Sequence, residues 1–176
     1  MQSEPKLLVR DALLEDMAAI AAIYSHHVRT GVGSFEEEPP SVEIIIERWR
    51  AIATRNLPWL VAEIDGVIVG YSYARPYHER SAYRFTLEDA VYIAPDAVRS
   101  GIGRALLASL IDRCAAQGYR QMVAIIGDSA NTGSIGLHAA LGFQHAGMLR
   151  NVGVKFGRSL DCVLMQRELA SDESAS

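Results

Sequence analysis

The order of structure along this chain is decided by residues 83–117, which read YRFTLEDAVYIAPDAVRSGIGRALLASLIDRCAAQ. Residues 83–93 alternate imperfectly between apolar and polar side chains, which predicts a strand. Residues 102–117 predict a helix. Between them, Gly101 and Gly103 let backbone N–H groups turn inward at a helix N-terminus, whose partial positive charge attracts anions. The stretch therefore predicts a strand, an anion-binding loop and a helix.

The glycine loop matches common nucleotide-binding motifs only in part. A dinucleotide-binding fingerprint has a third glycine where this chain has Leu106, and a P-loop has Gly-Lys followed by Ser or Thr. Neither a dinucleotide nor ATP is therefore expected as the ligand. Taken alone, two glycines before a helix are also compatible with a simple tight turn.

Outward from this stretch, strands and helices follow one another irregularly. Strands are predicted at 6–10, 58–64, 67–74, 120–127, 143–149 and 159–168, and helices at 15–28, at 44–53 and up to about 141. Ser41 is the expected cap of the second helix, and Asp65-Gly66 predicts a hairpin turn. The order is β-α-α-β-β-β-α-β-α-β-β, which is not the strict alternation of a doubly wound fold. The prediction is an α/β (α+β) protein with a mixed sheet and helices on both faces.

Length and composition indicate one globular domain. The chain has 176 residues, of which 49% are hydrophobic and 22% charged, and a chain of this size buries about two-thirds of its unfolded surface. We expect a single domain over residues 1–170 and a flexible tail over 171–176. The net charge of −4 and the absence of a basic stripe argue against nucleic acid as a partner.

Cysteine usage and hydropathy bear on the cellular compartment. Cys114 and Cys162 are the two cysteines, without a CxxC pattern or a Cys/His cluster, so neither a disulfide framework nor a metal site is predicted. No apolar run reaches the length that spans a bilayer, so no membrane association is expected. We expect a cytoplasmic protein.

Several separate stretches resemble the GCN5-related N-acetyltransferases (GNAT). They are the strand LEDAVYI at 87–93, the glycine loop, Asn131 and the segment SIGLHAALGF at 134–143. The similarity is strongest to the phosphinothricin and methionine sulfoximine N-acetyltransferase group and extends over nearly the whole chain. It implies the GNAT fold, a mixed central sheet of about seven strands that is splayed near the fourth strand and flanked by about four helices.

The resemblance implies that acetyl-CoA is the acetyl donor. The glycine loop would cradle its pyrophosphate, and the backbone of the fourth strand would pair with the pantetheine arm. The implied cofactor-binding residues are Val91, Tyr92, Ile93, Arg99, Ser100, Gly101, Ile102, Gly103, Arg104 and Asn131. One position departs from the family pattern, since Val98 stands where relatives carry Gln or Arg. That side-chain contact to CoA is either lost or taken over by Arg99, while the glycine backbone geometry is kept.

The resemblance also implies the catalytic residues. An ammonium group must lose a proton before it can attack a thioester, and Glu88 would act as the base directly or through water, with Asp89 able to share the task. His138 would protonate the leaving thiolate, or it is a structural core residue. A backbone N–H between Val91 and Ile93 would hold the oxyanion if a bulge splays the sheet there.

The acceptor site is implied in the same way. The residues expected to line it are Phe35, Arg75, Pro76, Tyr77, Tyr83, Asp89 and Ala90. Arginine can bind a carboxylate through two parallel hydrogen bonds, and aromatic rings can cover an apolar side chain, which suits a small amino acid. Ordinary packing is an equally good reading of each aromatic residue. Lys155 and Arg158 match a late basic segment that reaches the acceptor site, a dimer contact or solvent.

The leading hypothesis is an enzyme that acetylates the α-amine of amino-acid analogues such as phosphinothricin, methionine sulfoximine and methionine sulfone. One alternative is acetylation of peptide or protein N-termini. Another is a catalytically silent acyl-CoA-binding module, to which Val98 is the one feature that points. The resemblance further implies a homodimer.

Overall fold

The computed structural model describes residues 6–98 and 100–169. Over these residues the chain forms seven strands and four α-helices. The strands are β1 (Leu7–Asp11), β2 (Trp59–Ile64), β3 (Val67–Pro76), β4 (Thr86–Ile93), β5 (Gln121–Gly127), β6 (Gln144–Lys155) and β7 (Arg158–Glu168). The helices are α1 (Met17–Thr30), α2 (Val42–Ala53), α3 (Ile102–Ala116) and α4 (Thr132–Ala140). The predicted tail at 171–176 and Arg99 lie outside the described residues.

The element order agrees with the prediction, and the strand boundaries agree within two residues except at the start of β4 and the end of β6. β4 begins at Thr86 because Ser81–Tyr83 form a short 3-10 turn instead of extended chain. β6 runs on to Lys155 because the turn into β7 is tight, with left-handed backbone at Phe156 (φ +52°) and Gly157 (φ +69°).

Local turn and capping signals are found where the sequence predicts them. Asp65 and Gly66 have φ values of +50° and +83°, the pair of left-handed residues that a two-residue hairpin needs. The Ser41 hydroxyl accepts the Ile44 N–H at 3.4 Å and caps α2. Gly118, with φ +86°, follows the end of α3.

The strands form one sheet in the order β1-β2-β3-β4-β5-β7-β6. Neighbouring strands are antiparallel except β4 and β5, whose parallel pairing runs from Thr86↔Gln121 to Asp89↔Ala124 and stops there. β4 continues to Ile93 and β5 to Gly127, so the sheet opens between them. The predicted splay near the fourth strand is thereby confirmed.

The opening does not depend on a bulge in β4. The register between β3 and β4 is unbroken from Gly70↔Ile93 to Pro76↔Leu87. The bulge expected between Val91 and Ile93 is therefore not present. Instead, the strands part because the β4–β5 ladder is short and each strand continues beyond it.

Helices cover both faces of the sheet. Tyr92 of β4 packs edge-on against Tyr24 of α1, with ring centroids 5.1 Å apart. Ser72 of β3 lies on the other face, where its hydroxyl donates to the Leu106 carbonyl of α3 at 3.5 Å. Residues along a strand alternate between faces, so each residue of β4 is assigned to the α1–α2 face or to the α3–α4 face.

The core lies on both sides of the sheet. On the α3 face it includes Leu106, Leu107 and Leu110, each with 0% exposure. Burying a leucine side chain contributes about 1.5–3 kcal/mol to the free energy of folding before entropy costs. These three leucines therefore stabilise the packing of α3 against the sheet. Within the described part of the chain, no helix is long and apolar enough to cross a membrane.

Candidate active site

A cavity of about 790 Å³ lies in the gap between β4 and β5. We refer to it as the splay cavity. Its walls include the end of β4, the end of β5, the N-terminal turn of α3 and the inward face of α4. The glycine loop and the two β4 acidic residues, which the sequence analysis selected for different reasons, both border this cavity.

The backbone of β4 presents alternate residues to the gap. The Ala94 N–H donates to Val69 of β3 at 2.8 Å, and the Thr86 carbonyl accepts from Tyr77 at 3.2 Å. Even-numbered residues of β4 therefore direct their backbone groups toward β3, and odd-numbered residues direct theirs toward β5.

Of the three predicted backbone contacts, this alternation directs Val91 and Ile93 toward the gap and Tyr92 away from it. The Ile93 carbonyl accepts a hydrogen bond from His27 Nε2 at 2.7 Å. His27 reaches this position from α1, and burial lowers its pKa below the ordinary value of 6.5. The backbone groups of Val91 and the N–H of Ile93 form the edge that an extended, amide-bearing ligand can pair with.

The first turn of α3 closes one end of the splay cavity. Gly101 adopts φ +78°, and the first intrahelical hydrogen bond is donated by Ala105 to the Gly101 carbonyl at 3.0 Å. The N–H groups of residues 102–104 thus precede the helical hydrogen-bond pattern and point out of the helix. Together with the helix dipole they suit a phosphate group.

Ser100, Val98 and Gly103, all in or next to the glycine loop, each have a different structural role. Ser100 donates its hydroxyl to the Ala97 carbonyl and so stabilises the loop. Val98 is 55% exposed at the rim of the cavity. At Gly103, a Cβ would lie 3.3 Å from Leu137 Cδ2 of α4, so this glycine allows the two helices to approach closely.

Asn131 stands at the start of α4 and borders the splay cavity. Its Oδ1 accepts the Ser134 N–H at 3.2 Å and caps the helix, while Nδ2 donates to the Gly127 carbonyl at 3.5 Å. The side chain therefore ties α4 to the end of β5. It lies beside the gap where an extended ligand would run.

His138 and Asp89 form a buried pair on the α3–α4 face. His138 Nε2 lies 2.9 Å from Asp89 Oδ2, and Nδ1 lies 2.7 Å from the Ser134 carbonyl. Burial lowers the pKa of His138, but the hydrogen bond and charge of Asp89 and the bond to Ser134 raise it more, so the pKa lies above 6.5. Both ring nitrogens are engaged within the protein. Asp89 Oδ1, also buried, has no hydrogen-bond partner among the described residues.

A second cavity, of about 660 Å³, lies on the α1–α2 face beneath residues 33–36. We refer to it as the loop cavity. It adjoins the splay cavity, and the residues that border both are Gly33, Tyr73, Arg75, Glu88, Tyr92, Ile125 and Gly127. We refer to this shared wall as the junction of the two cavities.

Glu88 and Arg75 lie at the junction of the two cavities. They are directly opposite each other in the β3–β4 register, and Arg75 Nη2 donates to Glu88 Oε1 at 2.7 Å. The Glu88 side chain is 13% exposed and that of Arg75 is 52% exposed. The junction thus holds one shielded carboxylate and one half-exposed cation.

Phe35 closes the loop cavity from one side. An added Cβ at Gly127 would lie 2.7 Å from its ring, and one at Gly153 only 2.5 Å, so the ring sits in a space that exists because both residues lack a side chain. Lys155, which is 1% exposed, donates to the Ser34 carbonyl at 2.7 Å. Burial lowers the pKa of this lysine.

A polar network on the far side of the loop cavity was missed by sequence reasoning. Tyr24 bonds both Ser34, at 2.8 Å, and Glu36, and Arg48 makes two hydrogen bonds to Glu36 at 2.6 and 3.0 Å. Burial and the bond to Glu36 raise the pKa of Tyr24 to about 12, whereas Arg48 holds the pKa of Glu36 below its ordinary value. These residues come from α1, the loop and α2, and no local motif links them.

The predicted acceptor residues do not all meet at the junction. Arg75 and Phe35 border the loop cavity and Ala90 the splay cavity. Tyr77 and Tyr83 pack edge-on with centroids 5.6 Å apart, and with Pro76 they border neither cavity. Asp89 lies on the face opposite Glu88, so it does not occupy the position expected of a substitute base.

Comparison with known proteins identifies the family of this chain. The family model described as "Acetyltransferase (GNAT) family" matches residues 20–143. The phosphinothricin N-acetyltransferase of Alcaligenes faecalis is 56% identical over 167 residues, which cover 95% of this chain and 83% of that protein. The L-methionine sulfoximine/L-methionine sulfone acetyltransferase of Pseudomonas aeruginosa is 38% identical over 168 residues, covering 95% and 97% of the two chains.

Solved structures show the same fold. A GNAT superfamily phosphinothricin acetyltransferase from Sinorhizobium meliloti, crystallised in complex with AcCoA, superposes with a TM-score of 0.92 at 42% identity and covers 97% of this chain and 92% of that one. The resemblance inferred from sequence is confirmed, and so is the predicted fold. The chain belongs to the acetyltransferase (GNAT) family.

Proposed function

We propose that this protein transfers the acetyl group of acetyl-CoA to the α-amine of small amino-acid analogues, among them phosphinothricin, methionine sulfoximine and methionine sulfone. The observation that carries the proposal is the position of Glu88, a shielded carboxylate where the splay cavity meets the loop cavity. The names of the relatives support the choice of acceptors.

The splay cavity suits acetyl-CoA as the donor. When bound, acetyl-CoA supplies the thioester whose acetyl group is transferred. Residues 102–104 offer N–H groups to its phosphates, and Val91 and Ile93 offer an unpaired strand edge to its pantetheine arm. Val98 removes one side-chain contact of the family pattern, while the backbone donors of the α3 N-terminus remain.

Glu88 is the proposed general base. Its carboxylate takes a proton from the acceptor's ammonium group, and the freed nitrogen lone pair attacks the thioester carbonyl carbon. A C–N bond forms, the C–S bond breaks, and the sulfur leaves with the electron pair and takes up the second proton that the acceptor nitrogen loses as the amide forms. The backbone alternation of β4 directs the Val91 N–H toward the gap, which supports a role for it in stabilising the oxyanion.

His138 serves in this proposal to hold α4 against β4 rather than to protonate the thiolate. Both of its ring nitrogens are bonded within the protein, to Asp89 and Ser134. A proton donated to the thiolate would have to come from one of these bonds. The pair is better suited to stabilise the floor of the splay cavity.

The loop cavity is the proposed acceptor site. Arg75 can bind the acceptor's α-carboxylate, and Phe35 can cover its side chain. The loop is held down by Tyr24, Arg48 and Lys155, which favours a small free amino acid over a peptide chain that needs an open groove.

The test is an acceptor panel. Purified protein, acetyl-CoA and a thiol reagent would report CoA release with phosphinothricin, methionine sulfoximine, methionine sulfone and a short peptide bearing a free N-terminus. We expect kcat/KM to be highest for the amino-acid analogues. Robust turnover of the peptide alone would support N-terminal acetylation instead, and no CoA release with any amine would leave only an acyl-CoA-binding module.

We infer a homodimer and a cytoplasmic location as further parts of this proposal. β6 carries large apolar side chains that are well exposed, with Met148 at 44%, Leu149 at 50%, Val152 at 54% and Val154 at 69%, a surface suited to a second copy of the chain. Cys114 and Cys162 are free thiols, as in reducing compartments. Sedimentation of the wild type and of Val154→Lys would test the dimer, since the lysine should shift the protein toward the monomer.

A further inference from the structure

We propose that the acceptor's own carboxylate frees the catalytic base, by drawing Arg75 away from Glu88 when the acceptor binds. This inference rests on the proposed function and deepens it, because it defines the acceptor class as amines with an adjacent free carboxylate. The movement of Arg75 would therefore affect the rate of acetyl transfer as well as the affinity for the acceptor.

The ion pair at the cavity junction is the starting point. Arg75 Nη2 is 2.7 Å from Glu88 Oε1, and within the described part of the chain Arg75 is the one hydrogen-bond partner of the Glu88 side chain. In the ligand-free arrangement, the Arg75 guanidinium therefore occupies Glu88 Oε1, and an acceptor's ammonium group must displace it to reach that oxygen.

Arg75 is the more exposed partner of the pair. Its side chain is 52% exposed, compared with 13% for Glu88, and exposed ion pairs are weak enough to exchange partners at little cost. Arg75 also borders the loop cavity, where the acceptor binds in our proposal. A new anion in that cavity can therefore compete for its guanidinium.

A free α-amino acid has the charges needed for this exchange. Its ammonium and carboxylate groups are attached to the same carbon, so one molecule can offer a cation to Glu88 and an anion to Arg75. One ion pair in the empty site becomes two in the complex, and every charge keeps a partner. An amine without the carboxylate leaves Arg75 on Glu88.

The other charged groups of the loop cavity do not replace Arg75. Arg48 makes two hydrogen bonds to Glu36, so its guanidinium is already paired on the far wall. Lys155 donates to the Ser34 carbonyl and is not among the residues that border the cavity. Arg75 is the cation next to the base.

The test compares methionine sulfone with its α-carboxamide in single-turnover experiments at saturating acceptor. The carboxamide's ammonium group loses its proton more readily than that of the free acid, so intrinsic amine chemistry favours the carboxamide. We expect the opposite order from the wild type, with the carboxamide transferred at least about tenfold more slowly, a difference in activation free energy of ~1.4 kcal/mol.

The Arg75→Gln variant sharpens the test, because removing the guanidinium should have opposite effects on the two acceptors. For the free acid we expect a higher KM, since the carboxylate loses its partner. For the carboxamide we expect a faster single turnover than in the wild type, since Glu88 is no longer paired. Arg55→Gln is the matched control, because Arg55 pairs with Glu79 at 3.5 Å on the surface, and it should keep the wild-type ratio.

Two results would overturn the inference. One is equal or faster transfer to the carboxamide in the wild type, and the other is a carboxamide rate that Arg75→Gln leaves unchanged or lowers. Failure of the proposed function is a different result, in which neither acceptor releases CoA. A loss of folding in Arg75→Gln would show as a lower melting temperature. In that case, the comparison of methionine sulfone with its carboxamide in the wild type tests the proposal by itself.

Discussion

Glu88 and Asp89 are neighbours in sequence, but their side chains lie on opposite faces of β4. Glu88 accepts from Arg75 at 2.7 Å where the two cavities meet, whereas Asp89 lies 2.9 Å from His138 Nε2 on the α3–α4 face. Strand alternation separates the two carboxylates. Their removal should therefore have different consequences, one for catalysis and one for stability.

Glu88→Gln should lower kcat by about 10²–10⁴-fold, the usual contribution of a general base, with little change in melting temperature. Continuous measurement of CoA release with methionine sulfone would check this. Glu79→Gln is the matched control, since Glu79 is 84% exposed at its side chain and pairs with Arg55. A Glu88→Gln enzyme within about threefold of the wild type would contradict the base assignment.

Asp89→Asn should destabilise the protein in a pH-dependent way. The folded-state pKa of His138 lies above its ordinary 6.5, so the stability from this histidine is fully present below about pH 6.5. It is lost as pH rises through the folded pKa. The wild type should therefore exceed Asp89→Asn in free energy of unfolding by more at pH 6 than at pH 9, as measured by urea denaturation.

Asp112→Asn serves as the control for this pH dependence, because Asp112 lies exposed on α3. Its free energy of unfolding should parallel that of the wild type at both pH values. A difference between wild type and Asp89→Asn that is constant with pH would mean that the His138–Asp89 pair does not carry the proton linkage.

Gly101→Ala should raise KM for acetyl-CoA by about tenfold while KM for the acceptor stays near the wild-type value. Gly101 has φ +78°, which alanine adopts at a cost of about 1 kcal/mol. The loop should therefore shift to a less strained conformation, which would move the N–H groups at the start of α3. Gly118→Ala imposes the same kind of strain at the other end of α3, with φ +86°. It should lower stability without changing either KM, and equal KM changes in both variants would argue against an anion site at Gly101.

Gly153→Ala should impair acceptor binding selectively. The new methyl group would lie 2.5 Å from the Phe35 ring, so the ring must move away from the loop cavity. We expect a several-fold rise in KM for methionine sulfone and an unchanged KM for acetyl-CoA. Gly147→Ala, on the same strand with no atom within 4 Å of its added Cβ, is the control. Equal behaviour of the two variants would show that Phe35 does not line the acceptor site.

Much of the fold could be predicted because its signals are local. Asp65-Gly66, Ser41 and Gly118 each impose a backbone conformation or hydrogen bond within a few residues, so their effect can be predicted without knowledge of the rest of the chain. The glycine loop before α3 is of the same kind. The predicted boundaries of β4 and β6 were less accurate. A short turn before β4 and the extension of β6 into a tight hairpin hardly change the alternation of apolar and polar residues.

The contacts around the cavities could not be predicted in this way. His27 bonds Ile93 across 66 residues, and Lys155 bonds Ser34 across 121. Such pairs depend on how strands and helices are placed relative to one another. No pattern of residue spacing along the chain predicts these contacts.

The sequence by itself therefore determined the order of elements, the glycine loop before α3 and the presence of a carboxylate in β4, since these follow from neighbouring residues. Only the tertiary structure decided that Glu88 meets Arg75 while Asp89 meets His138. The physical reason is that a side chain's partner is set by strand register and by the face it shares with other elements. Both are properties of pairings between distant segments, and here they place the Glu88 carboxylate beside both cavities.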